Sequence, residues 1–247
     1  ADPSKKDQRD FVLWKEAEPG RAMKWNSPWG QGFPGWHIEC SAMSYHYLGE
    51  KQDIHTGGVD NIFPHHEDEI AQSEAAFGHR YVTYWIHGQH LLADGAKMSK
   101  SAGNEVTLSD LEARGFDPLA FRYLCLSVRY RHRLNFTFSA LRAAEKALTR
   151  LRDRVWVWAG GGTLTDVDGG FEMDEWRGRF WDMVNNDLNL PGALSLTWDM
   201  VRHKMKAQTK LDLILEFDDI LGLGLSGITA SGRSTTELHA SLTKRES

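Results

Sequence analysis

Residues 53–87, DIHTGGVDNIFPHHEDEIAQSEAAFGHRYVTYWIH, decide the fold class of this chain. The first three of them predict a short strand, which the glycines at 57 and 58 are expected to end. Pro64 suits the first position of a helix, so a helix is predicted from 65 to about 77, with Gly78 as its cap. Residues 81–87 are mostly aromatic or β-branched and predict a second strand. Strand, helix and strand in this order indicate part of a parallel α/β sheet.

The segments that flank this stretch predict loops, short strands and one helix. Residues 1–35 are rich in turn signals and predict loops and short strands, with one strand at 10–14. A helix is expected from 36 to about 48, where Gly49 is a suitable stop. Residues 91–104 are polar and contain glycine, which predicts an exposed loop.

The second half of the chain has helical periodicity, so the predicted fold class is α/β followed by all-α. Asp117 can cap a helix that begins at Pro118. A helix that starts at Ser139 has apolar positions in steps of three or four, as an amphipathic helix requires. Those positions are Leu141, Ala144, Leu148, Leu151 and Val155. Further helices are predicted over about 172–186, 191–206 and 208–221, and residues 226–247 predict a loose tail.

Composition restricts the class of protein. The chain has 247 residues, of which 41% are apolar and 26% are charged, and its net charge is −5. These values exclude a collagen-like, low-complexity or wholly disordered chain. The two cysteines, Cys40 and Cys125, cannot form a disulfide framework, so a reducing, cytoplasmic location is expected. No apolar run approaches the roughly 18 residues that a membrane span needs. A chain that opens on Ala1 instead of Met is expected to be either processed or part of a longer protein.

Cys40, His65 and Glu69 form a candidate metal site. His65 and Glu69 are four residues apart, so a helix places them on one face, and Cys40 on the preceding helix can add a thiolate. Sulfur, imidazole and carboxylate ligands together suit zinc in a catalytic site. A purely structural interpretation of these residues stays open, because acidic residues are common at helix starts and histidines are often hydrogen-bonded polar residues without a functional role.

Three further patterns suggest contacts with phosphate-bearing ligands. The glycines at 57 and 58 can let the backbone approach a ligand, and Asp60 can accept hydrogen bonds from ribose, although such a pair more often marks a plain turn. Lys97 and Lys100 lie in a KMSKSAGN loop whose charge can neutralise a leaving pyrophosphate, unless it is only a solvated loop. Residues 117–160 carry nine Lys and Arg against three Asp and Glu, which is either a phosphate-binding face or a solvated helix face.

Several segments of the chain together form a recognisable set of motifs. They are DF at 10–11, LWK at 13–15, SPWG at 27–30, GWHIECSAM at 35–43, DIH at 53–55 through FPHHEDEIAQS at 63–73, YWIH at 84–87, KMSKS at 97–101 and NDLN at 186–189. This set resembles one enzyme family, the cysteinyl-tRNA synthetases of class I, and the resemblance covers about residues 8–225.

The resemblance implies a fold and a division into domains. The fold is the second half of a class I synthetase Rossmann-like catalytic domain, followed by a helical bundle. Residues 1–35 correspond to the end of a connective insertion and 36–110 to the C-terminal half of the nucleotide-binding domain. Residues 111–225 correspond to a helical domain that contacts tRNA, and 226–247 remain as a disordered tail.

The resemblance also implies a reaction, ATP-dependent activation of L-cysteine and its transfer to tRNA(Cys). It implies that Cys40, His65 and Glu69 bind zinc and that ATP, with Mg²⁺, is a substrate. It also implies a monomeric enzyme that has no membrane partner. Zinc explains how cysteine is told from serine, because hydrophobic pockets discriminate such pairs poorly whereas zinc prefers sulfur. The resemblance also places Trp36 beside the cysteine substrate and assigns His55 to the same pocket with a catalytic role. Lys97 and Lys100 are implied to be catalytic lysines. The residues implied to bind the nucleotide are Gly57, Gly58, Asp60, Met98, Ser99 and Ser101.

Two departures from the family pattern leave alternatives open. The family's His-x-Gly-His signature, its first zinc cysteine and most of its anticodon-binding region have no counterpart in this sequence. The isolated chain is therefore expected to activate cysteine poorly, which ATP–pyrophosphate exchange would test. One alternative function is that of a ligase that joins cysteine to glucosaminyl-inositol in thiol biosynthesis. A second is a non-catalytic remnant that binds tRNA or a partner, and a third is a truncated gene product with no function of its own.

Overall fold

A computed structural model describes residue 3 and residues 5–98, 105–160 and 170–228. The chain divides into two compact units, Ala1–Gln89 (unit 1) and His90–Ser247 (unit 2). This division falls before residues 90–110, which the domain prediction assigned to the nucleotide-binding part. In the structure Leu91, Met98 and Val106 pack against the apolar core of unit 2.

Unit 1 begins with a small antiparallel sheet. Its strands are β1 (Trp14–Glu16), β2 (Trp25–Ser27) and β3 (Gly30–Pro34), in the order β1-β3-β2. The prediction of a strand at 10–14 is wrong except for its last residue. Trp14 pairs with Pro34, and the chain turns into a helix just beyond that proline, so residues 10–13 have no strand to pair with.

A helix and two parallel strands complete most of unit 1. Helix α1 (Trp36–Leu48) ends at Gly49, whose φ of 90° is easily adopted only by glycine. The predicted helix over this segment is confirmed. Strands β4 (Gln52–Gly58) and β5 (Val82–Gly88) pair in parallel, so the predicted parallel arrangement is also confirmed.

Two local predictions in unit 1 are wrong at their boundaries. The glycines at 57 and 58 do not end β4, because they pair with His87 and Gly88 and so continue the ladder. The next helix, α2 (Glu67–Phe77), begins later than Pro64, and a π-helical turn (Ile62–His66) precedes it. Phe63 has extended backbone angles because a residue before proline avoids the helical region. Gly78 caps α2 as predicted.

Unit 2 contains a third sheet, which the sequence did not predict. Strands β6 (Leu91–Ala93) and β7 (Ala96–Lys97) form a hairpin, so the prediction of a loop is wrong for residues 91–93 and 96–97. Asp94 and Gly95 both have positive φ, as a tight hairpin turn needs, and an Asp-Gly pair is a known signal for it. Strand β8 (Leu134–Phe136) pairs in parallel with β6, inside the part predicted to be wholly helical.

Helices make up the rest of unit 2 and confirm the helical prediction. Their bounds are α3 (Leu108–Ala113), α4 (Pro118–Leu126), α5 (Phe138–Ala159), α6 (Gly170–Asn185), α7 (Leu190–Arg202) and α8 (Ala207–Leu221). Asp117 caps α4 through the backbone N–H of Leu119, as predicted. Helix α5 begins at Phe138 rather than Ser139, because Thr137 caps it: the Thr137 hydroxyl accepts the N–H of Ala140. His203 takes an extended conformation and ends α7 before the predicted residue 206.

The core of unit 2 lies between α5 and its neighbouring helices. All five apolar positions predicted along α5 are buried. Phe180 of α6 and Phe217 of α8 stack at 4.0 Å between ring centroids with 3° between ring planes. Leu225 is also buried and Leu225–Gly227 form a 3₁₀ turn, so ordered structure extends to the start of the predicted tail. Residues 229–247 of that prediction lie outside the described residues.

Acidic partners neutralise part of the basic segment of residues 117–160. Arg131 binds Asp187 through both guanidinium Nε and Nη2, at 2.6 and 3.0 Å. That guanidinium lowers the pKa of the Asp187 carboxyl to about 2. Arg152 pairs with Asp117 at 2.5 Å.

In the described ranges, no helix has the length and apolar character that crossing a bilayer requires.

Candidate metal centre

Three potential metal ligands of unit 1 converge as the sequence predicted. Cys40 comes from α1, His65 from the turn before α2, and Glu69 from the first turn of α2. Their ligand atoms all lie within 4.8 Å of one another. His65 Nε2 lies 2.7 Å from Glu69 Oε1, which is the contact that their spacing of four residues favours.

Glu69 shows that this cluster suits a cation. Its side chain is 0% exposed, and neither of its oxygens has a well-directed hydrogen bond among the described residues. Oε2 faces a second imidazole, with His55 Nε2 at 3.1 Å. A buried carboxylate without hydrogen bonds is costly, whereas a divalent cation would satisfy both oxygens. Sulfur, imidazole and carboxylate are the ligand types that zinc prefers, so the residues present fit this metal.

The protonation states of His65 and Cys40 depend on the burial of these two side chains. Desolvation lowers the pKa of His65, which favours the neutral imidazole that binds metals. Desolvation also raises the pKa of the Cys40 thiol, and the carboxylates of Glu69 and Glu39 raise it further. The thiol is therefore expected to be protonated in the metal-free protein and to lose its proton when a metal binds.

A second group of potential ligands shares Glu69 with the first. His55, His66 and Glu69 also have ligand atoms within 4.8 Å of one another. His66 Nδ1 lies 2.7 Å from His87 Nε2 at the end of β5. The sequence reading assigned His55 to the substrate pocket but missed His66 and His87. His87 could have been found, because polar residues at the carboxyl ends of parallel strands often face ligands.

Trp36, the residue assigned to the cysteine substrate, lies directly against the cluster. Its indole stacks on the His65 imidazole at 4.1 Å between ring centroids and 13° between planes. The side chain is 56% exposed, so one part fixes His65 while another remains accessible to a small molecule.

His37 and Asp68 are two polar residues near His65 for which the sequence predicted no role. His37 Nδ1 lies 2.8 Å from His65 Nδ1, and His37 Nε2 lies 3.2 Å from Asp68 Oδ2. No spacing rule brings these residues together, because His37 is on α1 whereas Asp68 is on α2.

The glycines predicted to face a nucleotide have a visible packing role. A Cβ added to Gly57 would lie 2.6 Å from His66 Cε1, so only glycine leaves room for that imidazole. Asp60 lies in a short 3₁₀ turn (Val59–Asn61) directly after β4.

Replacing Gly57 by alanine is expected to destabilise unit 1. The methyl group would force His66 away from β4, and overpacking of this kind costs about 1–3 kcal/mol. Gly88→Ala is the matched control, because Gly88 lies in the neighbouring strand and its added Cβ would meet nothing closer than 4.0 Å. Urea unfolding of both variants measures the difference, and equal midpoints would contradict the packing role.

The predicted cationic loop is described only at its start. Lys97 ends β7, and Met98 packs in an apolar pocket of unit 2 beside Leu91, Val106 and Phe121. The other predicted residues of this loop, Ser99, Lys100 and Ser101, lie outside the described residues.

Comparison with known proteins gives consistent results over most of the chain. Residues 1–146 match the family model described as the tRNA synthetases class I (C) catalytic domain. Cysteine–tRNA ligase 1 of Burkholderia lata is 51% identical over 90% of this chain and 46% of its own length. The cysteine–tRNA ligases of Opitutus terrae and Thermus thermophilus are 46% and 41% identical, over 92% and 91% of this chain. The chain spans about half the length of these curated relatives.

A solved structure also has a similar fold. A chain from the ternary complex of the LeuRS of Agrobacterium radiobacter with tRNA and LeuAMS aligns with a TM-score of 0.58. The alignment covers 87% of this chain and 35% of that chain, at 14% sequence identity. At this level of identity the likeness concerns the fold alone, an α/β part followed by a helical part.

Proposed function

This chain belongs to the family of class I tRNA synthetase catalytic domains of the cysteine type, and we propose that it serves the ATP-dependent attachment of L-cysteine to tRNA(Cys). Within that enzyme it would form the second half of the Rossmann-like catalytic domain and the helical domain that follows. The single observation that carries the proposal is the convergence of a partly buried Cys40 with the buried His65 and Glu69, whose carboxylate has no well-directed hydrogen bond among the described residues.

The cluster accounts for selection of the amino acid. A zinc ion held by Cys40, His65 and Glu69 would supply a borderline-soft Lewis acid that prefers thiol sulfur to alcohol oxygen. Cysteine and serine differ by that one atom, and shape alone separates such pairs weakly. Trp36 would form one wall of the amino acid pocket, because it stacks on His65 and remains partly exposed. His55 would line the same pocket from β4, where Gln52 Oε1 lies 3.3 Å from its Nδ1.

The nucleotide and the tRNA would use other residues. We assign ATP, bound with Mg²⁺, to Gly57, Gly58 and Asp60 and to the KMSKS loop of residues 97–101. Lys97 and Lys100 would neutralise the charge that develops on the leaving pyrophosphate. The basic side chains after residue 117 would bind tRNA phosphates, and the enzyme would act as a cytoplasmic monomer.

Binding of zinc and of amino acids tests the proposal on the chain itself. We expect the purified chain to bind one equivalent of zinc, and the zinc-loaded chain to bind L-cysteine more tightly than L-serine in calorimetry. Cys40→Ser should weaken both zinc and cysteine binding, because an alcohol replaces the thiolate ligand. Cys125→Ser is the matched control, because Cys125 lies in unit 2 and is not part of either ligand group.

Two outcomes would contradict the proposal in different ways. Equal affinity for cysteine and serine in a zinc-loaded chain would remove the selectivity argument. A chain that binds neither zinc nor ATP, but binds tRNA with a steep salt dependence, would indicate a non-catalytic tRNA-binding remnant instead.

A further inference from the structure

Four side chains of unit 1 form a continuous series of polar contacts that starts at Asp68. Asp68 Oδ2 lies 3.2 Å from His37 Nε2, and His37 Nδ1 lies 2.8 Å from His65 Nδ1. His65 Nε2 then lies 2.7 Å from Glu69 Oε1. Asp68, His65 and Glu69 are buried, so water does not readily replace these contacts.

The series fixes where each imidazole carries its hydrogen. The Asp68 carboxylate only accepts hydrogen bonds, so His37 Nε2 must donate to it. A neutral His37 then has a bare Nδ1, which accepts. The 2.8 Å contact between the two Nδ1 atoms therefore requires His65 to donate from Nδ1, and this leaves a lone pair on His65 Nε2. That lone pair faces the Glu69 carboxylate, so a cation that binds to both groups would stabilise this arrangement.

We propose that Asp68 and His37 are positioning residues that hold His65 in the tautomer whose Nε2 binds zinc. The inference rests on the proposed zinc site and adds two residues to it. Neither residue touches the ion or the substrate in this account. Outer partners of this kind orient a ligating imidazole and raise its basicity.

Ring contacts support the same arrangement. Trp36 stacks on His65, and Phe11 meets the His37 ring edge-on at 6.0 Å between centroids, so neither imidazole can rotate without disturbing an aromatic neighbour. The second ligand group, which consists of His55, His66 and Glu69, has no such carboxylate behind His66 among the described residues. His66 Nδ1 contacts His87 Nε2, and among the described residues no carboxylate forms an ion pair with His87. The carboxylate-backed imidazole therefore favours the Cys40 group as the zinc site.

Zinc affinity of three variants tests the proposal. In the full chain, Asp68→Ala is expected to weaken zinc binding by about 10–100-fold in a chelator competition, because it removes the acceptor that orients His37. Asp68→Asn should retain most of the affinity, because its amide oxygen can still accept from His37 Nε2. Glu67→Ala is the matched control: Glu67 is an exposed acid in the same first turn of α2 and should not change the affinity.

A double-mutant cycle separates positioning from general electrostatics. If Asp68 acts through His37, then Asp68→Ala should cost little further affinity in a His37→Ala background. Long-range proton–nitrogen NMR spectra of the metal-free protein give an independent signature. Wild type should carry the His65 hydrogen on Nδ1, and Asp68→Ala should move it towards Nε2, where Glu69 can accept it.

The outcomes distinguish this inference from the proposed function. A wild-type chain that binds zinc, together with an unchanged affinity in Asp68→Ala, would overturn the positioning role alone. Equal losses in Asp68→Asn and Asp68→Ala would assign the effect to charge and would also overturn it. A wild-type chain that binds no zinc would overturn both the zinc site and this inference.

Discussion

Replacing Glu69 by glutamine is expected to weaken zinc binding by more than about 100-fold, because loss of an outer partner already costs about 10–100-fold and the proposed site uses Glu69 as a direct ligand. The free energy of unfolding of the metal-free protein should behave differently. Glu69 is fully buried and, among the described residues, its oxygens accept no well-directed hydrogen bond, so removing its charge should leave the metal-free protein as stable as before or more stable. A ligand whose removal weakens metal binding without weakening the fold is a functional residue.

Glu67→Gln is the matched control for this prediction. Glu67 lies two residues earlier on the same helix but is exposed, so both zinc affinity and stability should stay near the wild-type values. Chelator competition measures the affinity, and urea unfolding with and without zinc measures the stability. If Glu69→Gln destabilised the metal-free chain and left zinc affinity unchanged, Glu69 would be a structural residue and the metal site would be wrong.

Replacing Phe180 by alanine is expected to destabilise unit 2 by about 3–5 kcal/mol, the usual cost of truncating a buried phenylalanine. Phe180 is almost fully buried and stacks on Phe217, which links α6 to α8. Its truncation would leave a cavity beside a ring that has lost its partner.

Trp181→Ala is the control on the same helix. Trp181 is 38% exposed, so its truncation should cost about 1 kcal/mol or less. Urea unfolding followed by circular dichroism compares the two variants. A Phe180→Ala protein with the midpoint of wild type would show that α6 and α8 do not depend on this contact.

The sequence predicted those features that depend on local periodicity and capping. The buried stripe of α5, the Asp117 cap of α4 and the Gly78 end of α2 all follow from neighbouring residues. The pair formed by His65 and Glu69 is of the same kind, because a spacing of four residues fixes it.

The errors occurred where a partner distant in sequence decides the structure. Gly57 and Gly58 remain in β4 because β5 pairs with them, although both residues usually end strands. Strand β8 exists because β6 lies beside it, and three residues carry little periodicity of their own. The contacts of His37 with His65 and Asp68 could not be predicted from spacing, because α1 must pack against α2 before those side chains meet.

X-ray absorption spectroscopy at the zinc edge tests the central claim of this account most directly. The zinc-loaded chain should show one sulfur neighbour at about 2.3 Å, from Cys40, and nitrogen or oxygen neighbours at about 2.0–2.2 Å, from His65 and Glu69. Addition of L-cysteine should bring a second sulfur neighbour, whereas L-serine should not. A zinc shell without sulfur, or one that responds alike to both amino acids, would contradict the account.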